Sequence, residues 1–194
     1  MNKVLKLLFL MAISATAILY ACSNGADTPK PKGYLRTDFE TKSYTILKGQ
    51  YPYTFEYPTY GIVEKDTLKN AEPYWITINF KSYNSQLHLS YKKINKNLSL
   101  YIEDARKMAY KHTIKADAID EILVKRDSVK VYGIIYDIKG NTATSLQFFL
   151  TDSNRHFLRG SLYFKNEPNK DSLAPSIEYF RKDVEHLINT LKWE

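Results

Sequence analysis

The chain has 194 residues, of which 44% are hydrophobic and 25% are charged, so its composition is that of a folded protein rather than a disordered one. The formal net charge is +7, but the basic residues are spread along the chain and form no dense block, which argues against nucleic-acid binding. The 7 glycines form no nucleotide-binding loop and no HExxH or paired Cys/His motif occurs, so we expect no nucleotide, no metal and no cofactor.

The N-terminus has the pattern of an export signal. Lys3 and Lys6 form a positively charged N-terminal region. Residues 7–20 are almost entirely apolar, and this run is too short for a typical membrane-spanning helix. The run ends in LYAC, the pattern of a lipoprotein signal, which predicts cleavage between Ala21 and Cys22 and lipid on Cys22. Cys22 is the only cysteine, so no disulfide can form within the chain. The alternative is an ordinary signal peptide with a chance cysteine near its end.

The composition predicts three segments in the chain. Residues 1–21 are the predicted signal peptide, and their removal lowers the formal net charge by two because they contain two lysines and no acidic residue. Residues 22–33 are the predicted lipidated cysteine and flexible tether, because residues 23–33 hold two glycines, two prolines and no large apolar side chain. Residues 34–194 are predicted to form a single globular α+β domain.

The first half of the domain has the pattern of short strands. We predict strands at 44–47, 53–57, 75–80 and 86–94, with prolines at the ends of the second one. The last of the four alternates clearly, because Leu87, Leu89 and Tyr91 occupy one side and polar residues occupy the other. This pattern predicts a half-buried antiparallel hairpin.

The second half combines helical and strand periods. Apolar residues at three- and four-residue spacing predict a helix over 97–115, with Asn97 as N-cap and His112 on the apolar stripe. Strands are predicted at 119–126, 129–139, 143–152 and 156–165, followed by a second helix. The predicted second helix has an apolar face made of Ile177, Phe180, Val184, Leu187, Ile188 and Leu191. Both faces of the strand at 129–139 are apolar, so we expect a mostly antiparallel sheet covered by helices on both faces.

Several stretches resemble the gliding motility lipoprotein GldD family. They are PKPKGY at 29–34, YPYTFEYP at 51–58, HLSY at 88–91, YIEDARKMAYKHTIKAD at 101–117, QFFLTDSNRHFLRGSLYF at 147–164 and TLKW at 190–193. The resemblance implies a component of the envelope apparatus that drives gliding, linked to the type IX protein secretion system, and it brings no catalytic residue. The order of elements also resembles the Mog1/PsbP-type fold.

The residues that could form a site are few. Asp152, Ser153 and His156 are the residue types of a nucleophilic triad, but neighbours on one tight turn rarely reach triad geometry, so a turn is the favoured interpretation and no catalytic residue is predicted. The candidate interaction surface consists of Tyr53, Tyr57, Arg155, His156 and Arg159. The aromatic residues among these could instead serve cross-strand packing.

The resulting hypothesis is a lipid-anchored, non-enzymatic protein of the gliding and secretion machinery. Its expected partners are other envelope proteins of that machinery and, through the lipid, a membrane; neither nucleic acid nor nucleotide is expected. We expect it at the periplasmic face of the outer membrane, with the inner membrane as the alternative location. The alternative function is a periplasmic module that binds a small cell-wall or glycan ligand in a tyrosine-lined groove.

Overall fold

The computed structural model describes residues 38–67, 70–165 and 170–194, which belong to one compact unit, Leu35–Glu194. A seven-stranded antiparallel sheet forms its centre, in the order β4-β5-β6-β10-β9-β8-β7. The strands are β4 (Ile62–Lys65), β5 (Ile76–Phe80), β6 (Ser85–Lys93), β7 (Ala116–Arg126), β8 (Val131–Gly140), β9 (Thr144–Thr151) and β10 (His156–Phe164). The long strands follow the predicted runs closely because alternating apolar residues specify which side is buried.

Two α-helices occur in the described ranges. They are α1 (Leu98–Tyr110) and α2 (Lys170–Thr190), and a 3₁₀ turn at Lys111–Ile114 extends α1. Asn97 makes no side-chain cap of α1; instead its Oδ1 accepts a hydrogen bond of 2.8 Å from the N–H of Asn95. His112 lies in the 3₁₀ turn and is half-buried, so it is not a full member of the core.

The apolar side chains form two clusters that use alternate residues of the sheet. Phe148 and Leu150 of β9 belong to a large cluster with Phe180 and Val184 of α2. Phe149, between them, belongs to a smaller cluster that contains Ala105 and Ala109 of α1. Successive side chains of a strand point to opposite faces, so each helix packs against a different set of strand residues.

The helical cover is less complete than the sequence predicts. The α+β class and the large antiparallel sheet are confirmed, but cover of both faces by helices is not. α1 packs against β9 and β10 and leaves part of β6 open on the same side, where His88, Ser90 and Lys92 are only half-buried. A helix of 13 residues is about 20 Å long, which is too short to span a seven-stranded sheet.

Three short segments and the C-terminus form two further ladders. The segments are β1 (Tyr44–Ile46), β2 (Tyr53–Thr54) and β3 (Glu56–Pro58), and the terminal strand is β11 (Lys192–Trp193). β1 pairs with β3, and β2 pairs with β11, so the strand predicted at 53–57 is divided between two partners. In the part of the chain that the structure describes, no helix combines the length and apolarity needed to cross a membrane.

Candidate functional site: a cavity between α1 and the sheet

A cavity of about 480 Å³ lies between α1 and the face of β6 and β10. It occupies the part of the sheet that α1 leaves uncovered. α1 contributes Tyr101, Ala105 and Met108 to its lining, and Trp75 lies at the end next to β5. The volume lies within the range of about 300–1,000 Å³ that is typical of small-ligand sites.

Most of the wall is apolar or aromatic. Lys92 bridges two of the aromatic side chains, because its Nζ lies 5.6 Å from the ring centroids of both Trp75 and Tyr101. The same ammonium forms an ion pair with Glu72, so its charge already has a partner. Lys92 therefore acts mainly as a cross-link between the two sides of the cavity.

The floor contains a cation without an anionic partner. Nη2 of Arg159 donates a hydrogen bond of 2.7 Å to Oε1 of Gln147, while its Nε is buried without a partner. No carboxylate among the described residues forms an ion pair with Arg159. Burial lowers the pKa of the guanidinium, and the nearby Tyr163 hydroxyl opposes that shift. Ser161, next on the same face, is 2% exposed and its Oγ is also unpartnered.

His88 supplies a neutral polar group beside the cation. Its Nε2 lies 2.8 Å from Nε2 of Gln86, and its Nδ1 lies 2.8 Å from Oγ1 of Thr77. An amide nitrogen can only donate, so Nε2 accepts and the proton is on Nδ1. Burial lowers the pKa of His88, which agrees with a neutral ring. The ring is held in one orientation as part of the cavity lining.

The five residues predicted as an interaction surface do not form one surface. Tyr53 is 1% exposed and donates a hydrogen bond of 2.6 Å to the carbonyl of Tyr74, and His156 is 7% exposed and is stacked on Trp193. This is a correction: both side chains are buried in the core and pack against other aromatic rings, so neither presents a contact surface. Nδ1 of His156 lies 2.9 Å from the hydroxyl of Tyr91, while its Nε2 is buried without a partner. Arg155 is exposed and Tyr57 half-buried, and their contact with a partner stays a prediction, whereas Arg159 lines the cavity.

The residues that resemble a triad form a turn. Oδ1 of Asp152 accepts hydrogen bonds from the N–H groups of Asn154, Arg155 and His156 at 2.9, 2.7 and 2.8 Å. Burial alone would raise the pKa of Asp152, but these three hydrogen bonds hold it below its ordinary value. The carboxylate is thus committed to the backbone, and Ser153 has a positive φ of 66°, typical of a tight turn.

Other predicted sites are outside this geometry. Ala21 and Cys22 lie outside the described residues, so cleavage and lipidation stay predictions. Within ranges 38–67, 70–165 and 170–194, no group of three His, Cys, Asp or Glu side chains could hold a metal ion.

The sequence interpretation missed most of the cavity. His88 and Ser90 read as the solvent side of a hairpin, and nothing local reveals that a helix passes beside them. One signal was available: Gln147 is a polar residue between Leu146 and Phe148 in a strand whose residues are all buried, and it is itself only 2% exposed. Such a residue requires a hydrogen-bonding partner, which is Arg159.

The fold and the family follow from comparison with known proteins. The solution structure of cyanobacterial PsbP (CyanoP) from Synechocystis sp. PCC 6803 is similar, with a TM-score of 0.52 and 10% identity over 82% of this chain and 98% of that one, so the chain has a PsbP-like α+β fold. The family model described as "Gliding motility lipoprotein GldD" matches residues 24–193. The chain therefore belongs to the GldD family of gliding motility lipoproteins, which are membrane-anchored proteins of the cell envelope. No curated protein matches it.

Proposed function

We propose that the protein is a non-enzymatic, lipid-anchored component of the gliding apparatus and of the associated type IX secretion machinery, and that it acts by binding other envelope proteins. The observation that carries this proposal is the family match over residues 24–193. The turn at Asp152 supports the non-enzymatic part, because its carboxylate is hydrogen-bonded to the backbone and does not orient a histidine ring.

The edge strand β7 is the surface that fits such a role. It is the last strand of the sheet, it has 11 residues, and β8 is its only strand partner among the described residues. Leu123 is 75% exposed, and Ile122 on the other face is also exposed. The charged side chains of Asp120, Glu121 and Lys125 lie beside them, which limits unspecific edge pairing. An added strand from a partner would bury the two apolar residues and satisfy the free edge.

Motility of a deletion strain tests the general role. Spreading and secretion should both fail without the gene and should return when the wild-type gene is supplied. Normal spreading of the deletion strain would contradict the proposal.

A Leu123→Asp variant tests the edge, with Leu100→Asp as the matched control because Leu100 is an exposed leucine on α1. We expect Leu123→Asp to fold normally and to lose both spreading and in-cell cross-links from β7, while Leu100→Asp keeps them. Equal motility of the two variants would remove β7 from the proposal.

Lipid on Cys22 and a location at the periplasmic face of the outer membrane complete the proposal. A palmitate analogue should label the wild type and not a Cys22→Ala variant. Membrane fractionation should place the labelled protein with the outer membrane; recovery with the inner membrane would support the alternative location.

A further inference from the structure

We infer that the cavity between α1 and the sheet binds a small organic carboxylate that carries an apolar ring or chain. This inference goes beyond the role in assembly, because it concerns a site on the opposite part of the sheet from β7. It rests on the cavity, on the unpaired cation in its floor and on the unpartnered hydroxyl beside it.

The charge of Arg159 identifies the ligand as an anion. A half-buried guanidinium without a carboxylate loses part of its hydration and gains no ion pair, and the described residues supply none. Gln147 accepts a hydrogen bond from one N–H group of Arg159 and the Tyr163 side chain interacts with the guanidinium as well, which leaves the remaining donors for a ligand. A guanidinium matches the two oxygens of a carboxylate in a bidentate arrangement.

The polar residues around the cation extend the same pattern. The buried N–H of Arg159 and the buried hydroxyl of Ser161 each lack a partner, and a buried polar group left unpaired is unfavourable. Both atoms are closed to water in this structure, so a ligand oxygen reaches them only if the side chain of Arg159 or Ser161 rotates. Both residues line the cavity, and so does Met108, whose flexible side chain can adjust to a ligand.

The remaining charges select a carboxylate over a phosphate. Asp66, Asp104 and Lys92 also line the cavity, so together with Arg159 the lining has two acidic and two basic side chains and no excess of positive charge for a dianion. A monoanion balances Arg159 without excess charge. The aromatic and apolar walls from Trp75, Phe157 and Met108 then contact the body of the ligand.

Trp75 provides a direct signal for binding. The chain has 2 tryptophans, and the second, Trp193, stacks on His156 away from the cavity lining. In the detergent-solubilised full-length Trp193→Phe protein, Trp75 is therefore the only indole. Phenylacetate and hexanoate are the probes, phenylacetamide is the neutral control, and inorganic phosphate tests the choice of anion.

We expect saturable fluorescence changes with at least one of the two carboxylates, and binding at least tenfold weaker for the amide and for phosphate. Arg159→Met should weaken carboxylate binding at least tenfold, while Arg155→Met, an exposed arginine four positions earlier, should leave it unchanged. Ser90→Trp keeps the cation and fills the cavity, so it should also abolish binding, measured by a thermal shift because it adds an indole.

Three results would overturn the inference: no saturable change with either carboxylate up to about 10 mM, equal binding of acid and amide, or full binding by a folded Arg159→Met protein. All measurements use purified protein, so they are independent of motility. Folding of each variant is checked by its melting transition, and Ser90→Trp tests the cavity if Arg159→Met fails to fold.

Discussion

At the scale of single residues, Lys42 and Asp183 join the start of the domain to α2. Nζ of Lys42 lies 2.7 Å from Oδ2 of Asp183 and 3.1 Å from the ring centroid of Tyr179. Asp183 is 2% exposed and also accepts hydrogen bonds from the hydroxyls of Tyr60 and Tyr44, at 2.5 and 3.1 Å. Burial lowers the pKa of Lys42 while Asp183 opposes the shift, and burial raises the pKa of Tyr44 to about 12.

Lys42→Met should destabilise the domain by about 3 kcal/mol, because it leaves a buried carboxylate without its cation. Lys182→Met is the control, since Lys182 is an exposed lysine next to Asp183 in sequence and should change stability by less than about 1 kcal/mol. Urea unfolding followed by tryptophan fluorescence measures both. Similar midpoints for the two variants would mean that the tyrosine hydroxyls alone stabilise Asp183.

At the scale of elements, the C-terminal end of helix α2 is capped by a side chain from strand β7. Nη1 of Arg126, in β7, donates hydrogen bonds of 2.9 Å to the carbonyls of both Ile188 and Leu191. The last carbonyls of a helix have no partner within the helix and carry its negative dipole end, so a guanidinium satisfies both needs.

Arg126→Met should therefore cost about 1–3 kcal/mol and increase amide hydrogen exchange in the last turn of α2. Lys125→Met, an exposed neighbour whose salt bridge to Asp127 is on the surface, should have little effect on either. Unchanged exchange in Arg126→Met would show that packing, rather than the cap, holds this turn.

The elements also show how far the sequence predicts the structure. β5, β6, β8, β9, β10 and the two helices follow from local period, because each buries a continuous side. β4 and β11 were missed, since a strand of 4 or of 2 residues has too little pattern and depends on a distant partner. Arg159 was predicted on an exposed surface for a similar reason. The alternation of a strand predicts the face of the sheet on which a side chain lies, but it does not predict which helix packs over that face.

At the scale of the whole molecule, histidines and tyrosines that are partly or fully buried set the pH range of stability. Burial lowers the pKa of His88, His112 and His156, so below about pH 6.5 the unfolded chain binds more protons and stability falls. Burial raises the pKa of Tyr136 and Tyr179 to about 12, so above about pH 10 the unfolded chain ionises first and stability falls again.

The melting temperature should thus be highest between about pH 7 and pH 9 and fall on both sides. His156→Gln should reduce the fall of the melting temperature on the acidic side, because the variant has no buried ring at this position that takes up a proton on unfolding. Differential scanning calorimetry over pH 4–11 provides the test. If the melting temperature of the variant falls as steeply at acidic pH as that of the wild type, the effect comes from the other histidines.

The pairing of β2 with β11 has a consequence for folding. Lys192 and Trp193 pair with Thr54 and Tyr53, and Asp183 is the partner of Lys42, so early residues depend on the final ones. These contacts join residues that are more than 100 positions apart in sequence. The fold of the domain is therefore complete only when both distant segments are present, and a domain that lacks either one loses the contacts of the other.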